Sequence, residues 1–121
     1  MFLATSNKAR QLLCLSYIGE VVPDELVRGR EDVRALLAEL PPGFRLLVNL
    51  TQLKSMSIEC HNEVGALMEQ FDRSGVGMIV RVIPDETKDI GFNILTVFHY
   101  QHHPQVATCQ SLTEAAQTLG L

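Results

Sequence analysis

Short apolar runs alternate with segments of helical periodicity along this chain, and the alternation constrains the fold more than any other feature. Residues 11–18, 46–50 and 77–83 form apolar runs with the length of strands. Residues 24–39, and those following Ser57, place apolar side chains three or four positions apart, as helices packed on a core do. Strands that alternate with helices predict a largely parallel sheet with right-handed crossovers.

The remaining elements complete this pattern. Residues 2–4 are expected to pair with the strand at 11–18 across a polar turn, and Pro23 suits the first turn of the next helix. A helix is predicted over 85–100, a short strand over 106–109, and a last helix after the capping box formed by Ser111 and Glu114. The predicted order is β-β-α-β-α-β-α-β-α. We expect one α/β domain over 1–121, with a four- to five-stranded, mixed, mostly parallel sheet and about four helices.

Length and charge exclude several classes of protein. A chain of 121 residues is the size of one domain, and its formal net charge of −4 gives no excess of positive charge to bind nucleic acid. The apolar run at 76–84 contains Arg81 and is too short to span a bilayer. The first residues have no pattern of a secretory signal, so a cytoplasmic location is expected. Cys14, Cys60 and Cys109 are expected to be reduced core residues.

The junction between the strand at 46–50 and the helix after Ser57 is the most promising functional region. Thr51, Ser55 and Ser57 place hydroxyl groups in this connection, and Glu59 lies at the start of the helix. A helix N-terminus presents unpaired N–H groups and a partial positive charge, which favour an anionic group. One interpretation is a binding surface or switch. The other is local chemistry, in which Ser57 caps the helix and Glu59 complements its dipole.

The same junction resembles that of a STAS domain, the fold of bacterial anti-anti-sigma factors and of the cytoplasmic tails of anion transporters. Members have a strand with the sequence Leu-Asp-Leu, a linker, and then a hydrophobic residue, Asp, Ser, Ser or Thr, and Gly at a helix start. The corresponding segments here are VNL at 48–50 and MSIEC at 56–60. Residues 106–116 also resemble the last strand and capped helix of the family.

This resemblance implies a non-enzymatic regulatory module. In anti-anti-sigma factors a partner kinase phosphorylates the second hydroxyl residue, and this position is Glu59 here. Ser57, Ile58 and Cys60 replace the Asp, the first Ser and the Gly, so the usual phosphoacceptor is absent. The divergent SpoIIAA-like branch, which is also similar to lipid-binding SEC14 domains, matches better. The implied partner is a protein, either a kinase, an anti-sigma-like or other regulator, or a second copy. The alternative is a small apolar ligand or lipid in a pocket beside the helix at 87–99.

A second segment is predicted to share the junction's surface. The loop with Asp85 and Asp89 follows the strand at 77–83, and ligands of open α/β sheets gather beyond the carboxyl ends of strands. Phe92 falls roughly 200° from Ile90 on a helix, which predicts an exposed ring on a partner or dimer face. Arg81 belongs either to this recognition surface or to an exposed strand face where it pairs with a carboxylate.

Histidines at the end of the 85–100 helix raise a third possibility. His99, His102 and His103 lie close to Cys109 in sequence, and a metal-dependent enzyme would need three or four such ligands to converge. Their spacing is weak evidence, because histidines near a helix C-terminus also complement its dipole. We therefore predict no metal, no cofactor and no catalytic residues.

Overall fold

The structure is a computed structural model and describes residues 1–83, 92, 95, 96 and 99–121. Seven strands and three helices have bounds within these residues. They are β1 (Phe2–Asn7), β2 (Leu12–Tyr17), β3 (Gly19–Val21), α1 (Pro23–Leu37), β4 (Arg45–Asn49), β5 (Leu53–Met56), α2 (Cys60–Arg73), β6 (Met78–Val82), β7 (Gln105–Cys109) and α3 (Leu112–Leu119). Phe92, Leu95, Thr96 and His99 are also helical, so a helix lies between β6 and β7.

The main sheet has the mixed, mostly parallel topology that the alternation predicts. Within the described residues its strand order is β1-β2-β4-β6-β7. β1 pairs antiparallel with β2, whereas β2, β4, β6 and β7 are parallel neighbours. Asn49 at the end of β4 is aligned with Val82 at the end of β6. The segments that leave these two strands therefore begin side by side at one edge of the sheet.

A second, two-stranded sheet was not expected. β3 and β5 pair in parallel, with Val21 aligned with Met56. No strand was predicted in the connection at 51–57, but β5 lies within it. Lys54 and Ser55 are exposed and Leu53 is buried, so this short strand has little of the hydrophobic pattern that identifies longer ones.

Helices cover both faces of the main sheet. The side chains of each central strand point alternately to the two faces, and each face carries one apolar cluster. The larger cluster contains Leu13, Leu15, Leu46, Val48 and Ile79 of the sheet, Leu26 and Val33 of α1, and Val64, Leu67 and Phe71 of α2. The smaller one contains Leu12, Val80, Val82, Cys109, Ala115 and Leu119, so α3 packs on the opposite face. Cys60 and Cys109 are buried, Cys14 is half-buried, and all three are free thiols, as predicted.

Local signals set the helix ends. Pro23 occupies the first position of α1, and Gly75 has a φ of 85° just beyond α2, a conformation that glycine adopts without steric cost. Ser111 Oγ accepts a hydrogen bond from the Glu114 N–H at 3.1 Å, as the capping box predicts. The Glu114 carboxylate accepts a hydrogen bond from the Gln110 N–H, one residue earlier than the motif specifies.

In the described part of the chain, no helix is both long and apolar enough to cross a bilayer.

Candidate functional site

The connection that leaves β4 begins with a tight turn closed by Asn49. Its side-chain Oδ1 accepts hydrogen bonds from the Thr51 N–H at 3.0 Å and from the Thr51 hydroxyl at 2.7 Å. This is the turn that Asn and Asp side chains form with the backbone two residues on. Thr51 is exposed, but its hydroxyl is already a donor to Asn49.

Pairing between β3 and β5 then holds the connection against the start of α1. The Gly19 N–H donates to the Gln52 carbonyl at 2.8 Å, and Ser55 is aligned with Glu20. Ser55 and Ser57 are exposed on either side of half-buried Met56. Of the three predicted hydroxyl residues, Ser55 therefore lies on a hydrogen-bonded strand and Ser57 directly after it, whereas Thr51 lies in the turn before it.

A turn of residues 57–60 leads into α2. The Cys60 N–H donates to the Ser57 carbonyl at 3.0 Å, and the His61 N–H donates to the Ile58 carbonyl at 3.1 Å. The N-cap residue is Glu59, and no described side chain accepts a hydrogen bond as a cap there. The interpretation of Ser57 as a cap is wrong, because its hydroxyl lies 3.5 Å from the buried thiol of Cys60 instead.

Exposed apolar residues, which were not predicted from the sequence, lie beside these polar groups. Ile58 is 77% exposed at the tip of the turn, and Val22, the N-cap of α1, is 48% exposed. Because Val21 and Met56 are aligned on β3 and β5, the segments that contain Val22 and Ile58 leave the small sheet next to each other. The sequence signal for this exposed apolar group was an isoleucine placed between Ser57 and Glu59. We call Thr51, Ser55, Ser57, Ile58 and Glu59, all exposed, the junction surface.

The second predicted segment is described only in part. Asp85 and Asp89 lie outside the described residues, as does Ile90. Phe92 is described, and its predicted exposure is wrong because the side chain is only 6% exposed. Its ring meets the ring of Tyr17 edge-on, with centroids 6.2 Å apart. Phe92 is part of the core and does not contribute to the junction surface.

Solved structures with the same arrangement of strands and helices identify the fold. An uncharacterized protein of the DUF3478 family from Shewanella loihica PV-4, described as having a SpoIIAA-like fold, superposes with a TM-score of 0.74 at 12% sequence identity. The match covers 98% of this chain and 92% of that one. This chain has the SpoIIAA-like fold. The anti-sigma factor antagonist SpoIIAA in its unphosphorylated form has a TM-score of 0.67 at 14% identity, over 98% of this chain and 96% of that one. By sequence, neither a protein-family model nor a curated protein matches.

Beneath the surface, the SpoIIAA-like fold of this chain contains a charged residue in its core. Arg81 on β6 is 2% exposed, so the expectation of an exposed strand face is wrong. Its Nη1 donates to Thr96 Oγ1 at 2.9 Å, and this hydroxyl donates in turn to the Phe92 carbonyl at 2.8 Å. Arg81 therefore anchors the helical residues after β6 to the sheet and, being buried, does not belong to the predicted recognition surface.

A small cavity adjoins Arg81 on the side of the larger cluster. Tyr17, Phe92 and Tyr100 line it with Arg81 and several aliphatic side chains, and its volume is about 20 Å³. Burial raises the pKa of both Tyr17 and Tyr100, so both phenols are neutral at physiological pH. A cavity of this size has room for about one water molecule. It does not accommodate a lipid chain in the described conformation.

The histidines of this SpoIIAA-like domain contact separate carboxylates. His99 Nδ1 lies 2.9 Å from Glu69 Oε1, and His102 Nδ1 lies 2.9 Å from Asp72 Oδ2. His103 is exposed, with a φ of 51°. In the described ranges, no group of three or more His, Cys, Asp or Glu residues could hold a metal ion.

Proposed function

We propose that this chain is a non-enzymatic regulatory module that binds a partner protein through the junction surface. The observation that carries the proposal is the 77% exposure of Ile58 next to hydroxyl and carboxylate groups. Protein interfaces typically combine an apolar centre with a polar rim, and a few large side chains contribute most of the affinity. Ile58 would be the apolar anchor, with Val22 beside it. Ser55, Ser57 and Glu59 would determine which partner binds.

The fold supports a protein partner. One structural neighbour, SpoIIAA, is described as an anti-sigma factor antagonist, and its description as unphosphorylated refers to a form without a phosphoryl group. We propose by analogy a regulator in the cytoplasm, either an anti-sigma-like protein or a kinase, as the partner. A second copy of the chain is the other partner that this surface could bind.

Glu59 distinguishes the proposed mechanism from a phosphorylation switch at that position. A phosphoserine carries about −1.5 to −2 charges, whereas a glutamate carries one, so Glu59 would imitate the modified state only in part. A fixed charge cannot be added or removed by a kinase. We propose constitutive binding, with Ser55 and Ser57 as the exposed hydroxyls at which phosphorylation would oppose it.

Affinity capture with the full chain as bait tests this proposal. Proteins retained from the host would be quantified for the native chain and for Ile58→Ser and Glu59→Lys. Leu112→Ser, at an exposed leucine of α3, is the matched control for the first variant. Asp32→Lys, at an exposed acid of α1, is the control for the second.

We expect one or a few proteins to be retained by the native chain and by both controls and lost with both junction variants. Mixing tagged and untagged copies shows whether the retained protein is the chain itself. Equal retention by all five proteins, with each variant folded by circular dichroism, would contradict the junction surface as the site of binding.

The alternative function is a small-ligand or lipid carrier, and buried Arg81 at an otherwise largely apolar cavity is the observation that favours it. A carrier would require the cavity of about 20 Å³ to enlarge on binding. Native mass spectrometry of protein isolated from its host distinguishes the two functions. An added small-molecule mass would support the carrier, and an unmodified polypeptide would support the protein-binding module.

A further inference from the structure

A groove between α1 and α2 is unusually basic for this chain. It has a volume of about 660 Å³, and its lining includes Arg30, Arg34 and Arg73 but a single carboxylate, Glu31. The lining thus carries a net charge of +2, although the chain has a formal net charge of −4. Opposite charges across an interface guide encounter and select partners.

The two helices run side by side in the same direction, which brings the arginines together. Arg30 of α1 lies 3.5 Å from Glu63, in the first turn of α2. At the other end, the C-cap residues of both helices, Ala38 and Ser74, line the same groove. Arg34 and Arg73 lie in the last turns, so both α1 and α2 contribute positive charge to the groove.

The guanidinium groups remain available to a partner. Arg34 pairs with Glu31 at 2.5 Å, but both side chains are more than 70% exposed, and Arg30 contacts Glu63 at 3.5 Å. The exposed Arg34–Glu31 pair contributes about 0 to 1 kcal/mol, so a carboxylate of a partner can replace it. Glu63 is only 24% exposed, so Arg30 keeps this contact and offers its remaining N–H groups to a partner. Arg73 is exposed and has no ion pair within the described part of the chain.

We propose that this groove binds an acidic peptide segment of a partner protein, with Arg30, Arg34 and Arg73 each meeting a carboxylate. Arg30 and Arg34 are one turn apart, about 6 Å along α1. Carboxylates two residues apart in an extended segment, or four apart in a helix, have this spacing. Val27, which lines the same groove and is exposed, offers an apolar contact.

The helix ends favour separated carboxylates over a phosphate group. Each helix C-terminus carries about half a negative charge, which opposes a compact dianion at the Arg34 and Arg73 end. Single carboxylates spread along the groove encounter less of this repulsion, and each can accept two hydrogen bonds from one guanidinium.

The Arg34 and Arg73 end of this groove is separate from the junction surface. The fourteen residues of α2, from Cys60 to Arg73, place its two ends about 20 Å apart. The inference therefore goes beyond the proposed function, and either one can fail without the other.

Titration of the full-length protein with a hexaglutamate peptide, followed by backbone amide chemical shifts, tests the proposal. Arg34→Ser with Arg73→Ser removes two of the three cations. Arg10→Ser with Arg28→Ser is the matched control, because both residues are exposed, lie outside the groove and change the net charge equally. Inorganic phosphate at the same ionic strength is the second probe.

We expect shift changes in the C-terminal halves of α1 and α2, and affinity about tenfold weaker in the groove variant than in the control, as two lost ion pairs predict. Restoring both positions as lysine should recover most of the binding, and added salt should weaken it. Absence of binding, shift changes elsewhere, an equal loss in the control, or equal saturation by phosphate would each overturn the proposal.

Discussion

His102 Nδ1 lies 2.9 Å from Oδ2 of Asp72, and the His102 N–H donates to Oδ1 of the same carboxylate at 3.1 Å. Asp72 is buried near the end of α2, whereas the imidazole is 75% exposed. One carboxylate therefore satisfies both a backbone and a side-chain donor of a residue 30 positions away. This contact fixes the segment before β7 to α2.

The Asp72 contact predicts a pH-dependent stability. Burial acts to raise the pKa of this carboxyl, but the hydrogen bonds from the His102 backbone and ring outweigh it and hold the pKa below 3.8. A carboxyl with a lowered folded-state pKa stabilises the fold above its unfolded pKa and loses that contribution as the pH falls through the folded value. At pH 7, Asp72→Asn should lower the free energy of unfolding by about 1 to 2 kcal/mol, a modest cost because His102 is exposed.

Chemical denaturation at several pH values measures this effect. The difference between the native chain and Asp72→Asn should shrink below pH 3.8, the ordinary value for the group. In the His102→Ala background the substitution should cost less at pH 7, because the imidazole donor to Asp72 is gone. A difference that stays constant with pH would contradict the assignment.

A second histidine, His99, packs against α2 one turn before Asp72 and lies over Gly65. His99 Nδ1 contacts Glu69, and a Cβ added at Gly65 would lie 2.5 Å from His99 Nε2. Gly→Ala within a helix ordinarily stabilises by about 0.5 to 1 kcal/mol. Gly65→Ala should instead lower the thermal midpoint, because the ring has to move and lose its contact with Glu69. In the His99→Ala background the same substitution should raise the midpoint, and a rise in both backgrounds would refute the contact.

Thr96 is expected to contribute to stability because its hydroxyl accepts a hydrogen bond from the buried guanidinium of Arg81. Thr96→Val should lower the free energy of unfolding by about 1 to 3 kcal/mol, the cost of removing one hydrogen-bond partner of a buried group. Thr118→Val is the matched control, since the Thr118 hydroxyl also donates to the carbonyl four residues earlier but is exposed on α3. Urea denaturation compares the two. Equal effects would indicate that the Arg81 contact contributes little.

Phe92 and Ile58 should respond in opposite ways to truncation. Phe92→Ala removes a buried ring packed on Tyr17 and should cost about 3 to 5 kcal/mol. Ile58→Ala removes an exposed side chain and should change stability by less than about 0.5 kcal/mol. Denaturation midpoints of the two variants measure both effects. A large loss of stability for Ile58→Ala would mean that other residues cover its side chain in solution.

The order of the helices and of the strands in the main sheet could be predicted from the sequence because their signals are local. The apolar runs that became β2, β4 and β6 and the apolar stripe of α2 are periodic within a few residues of one another. Pro23, Gly75 and Ser111 fix helix ends through their own backbone and side-chain chemistry. The resemblance at residues 48–60 added the fold, and the sheet order confirms it.

Contacts between distant residues decided the rest. β3 and β5 are too short to show a period, and they become strands because each supplies the other's hydrogen bonds across more than thirty residues. The burial of Phe92 and Arg81 depends on Tyr17 and Thr96, which approach them from other elements. The periodicity of one helix indicates which residues share a face, but the elements packed around that helix determine whether the face is buried. The sequence therefore determined the helices and the strands of the main sheet, whereas only the tertiary structure decided that β3 and β5 pair and which side chains remain exposed.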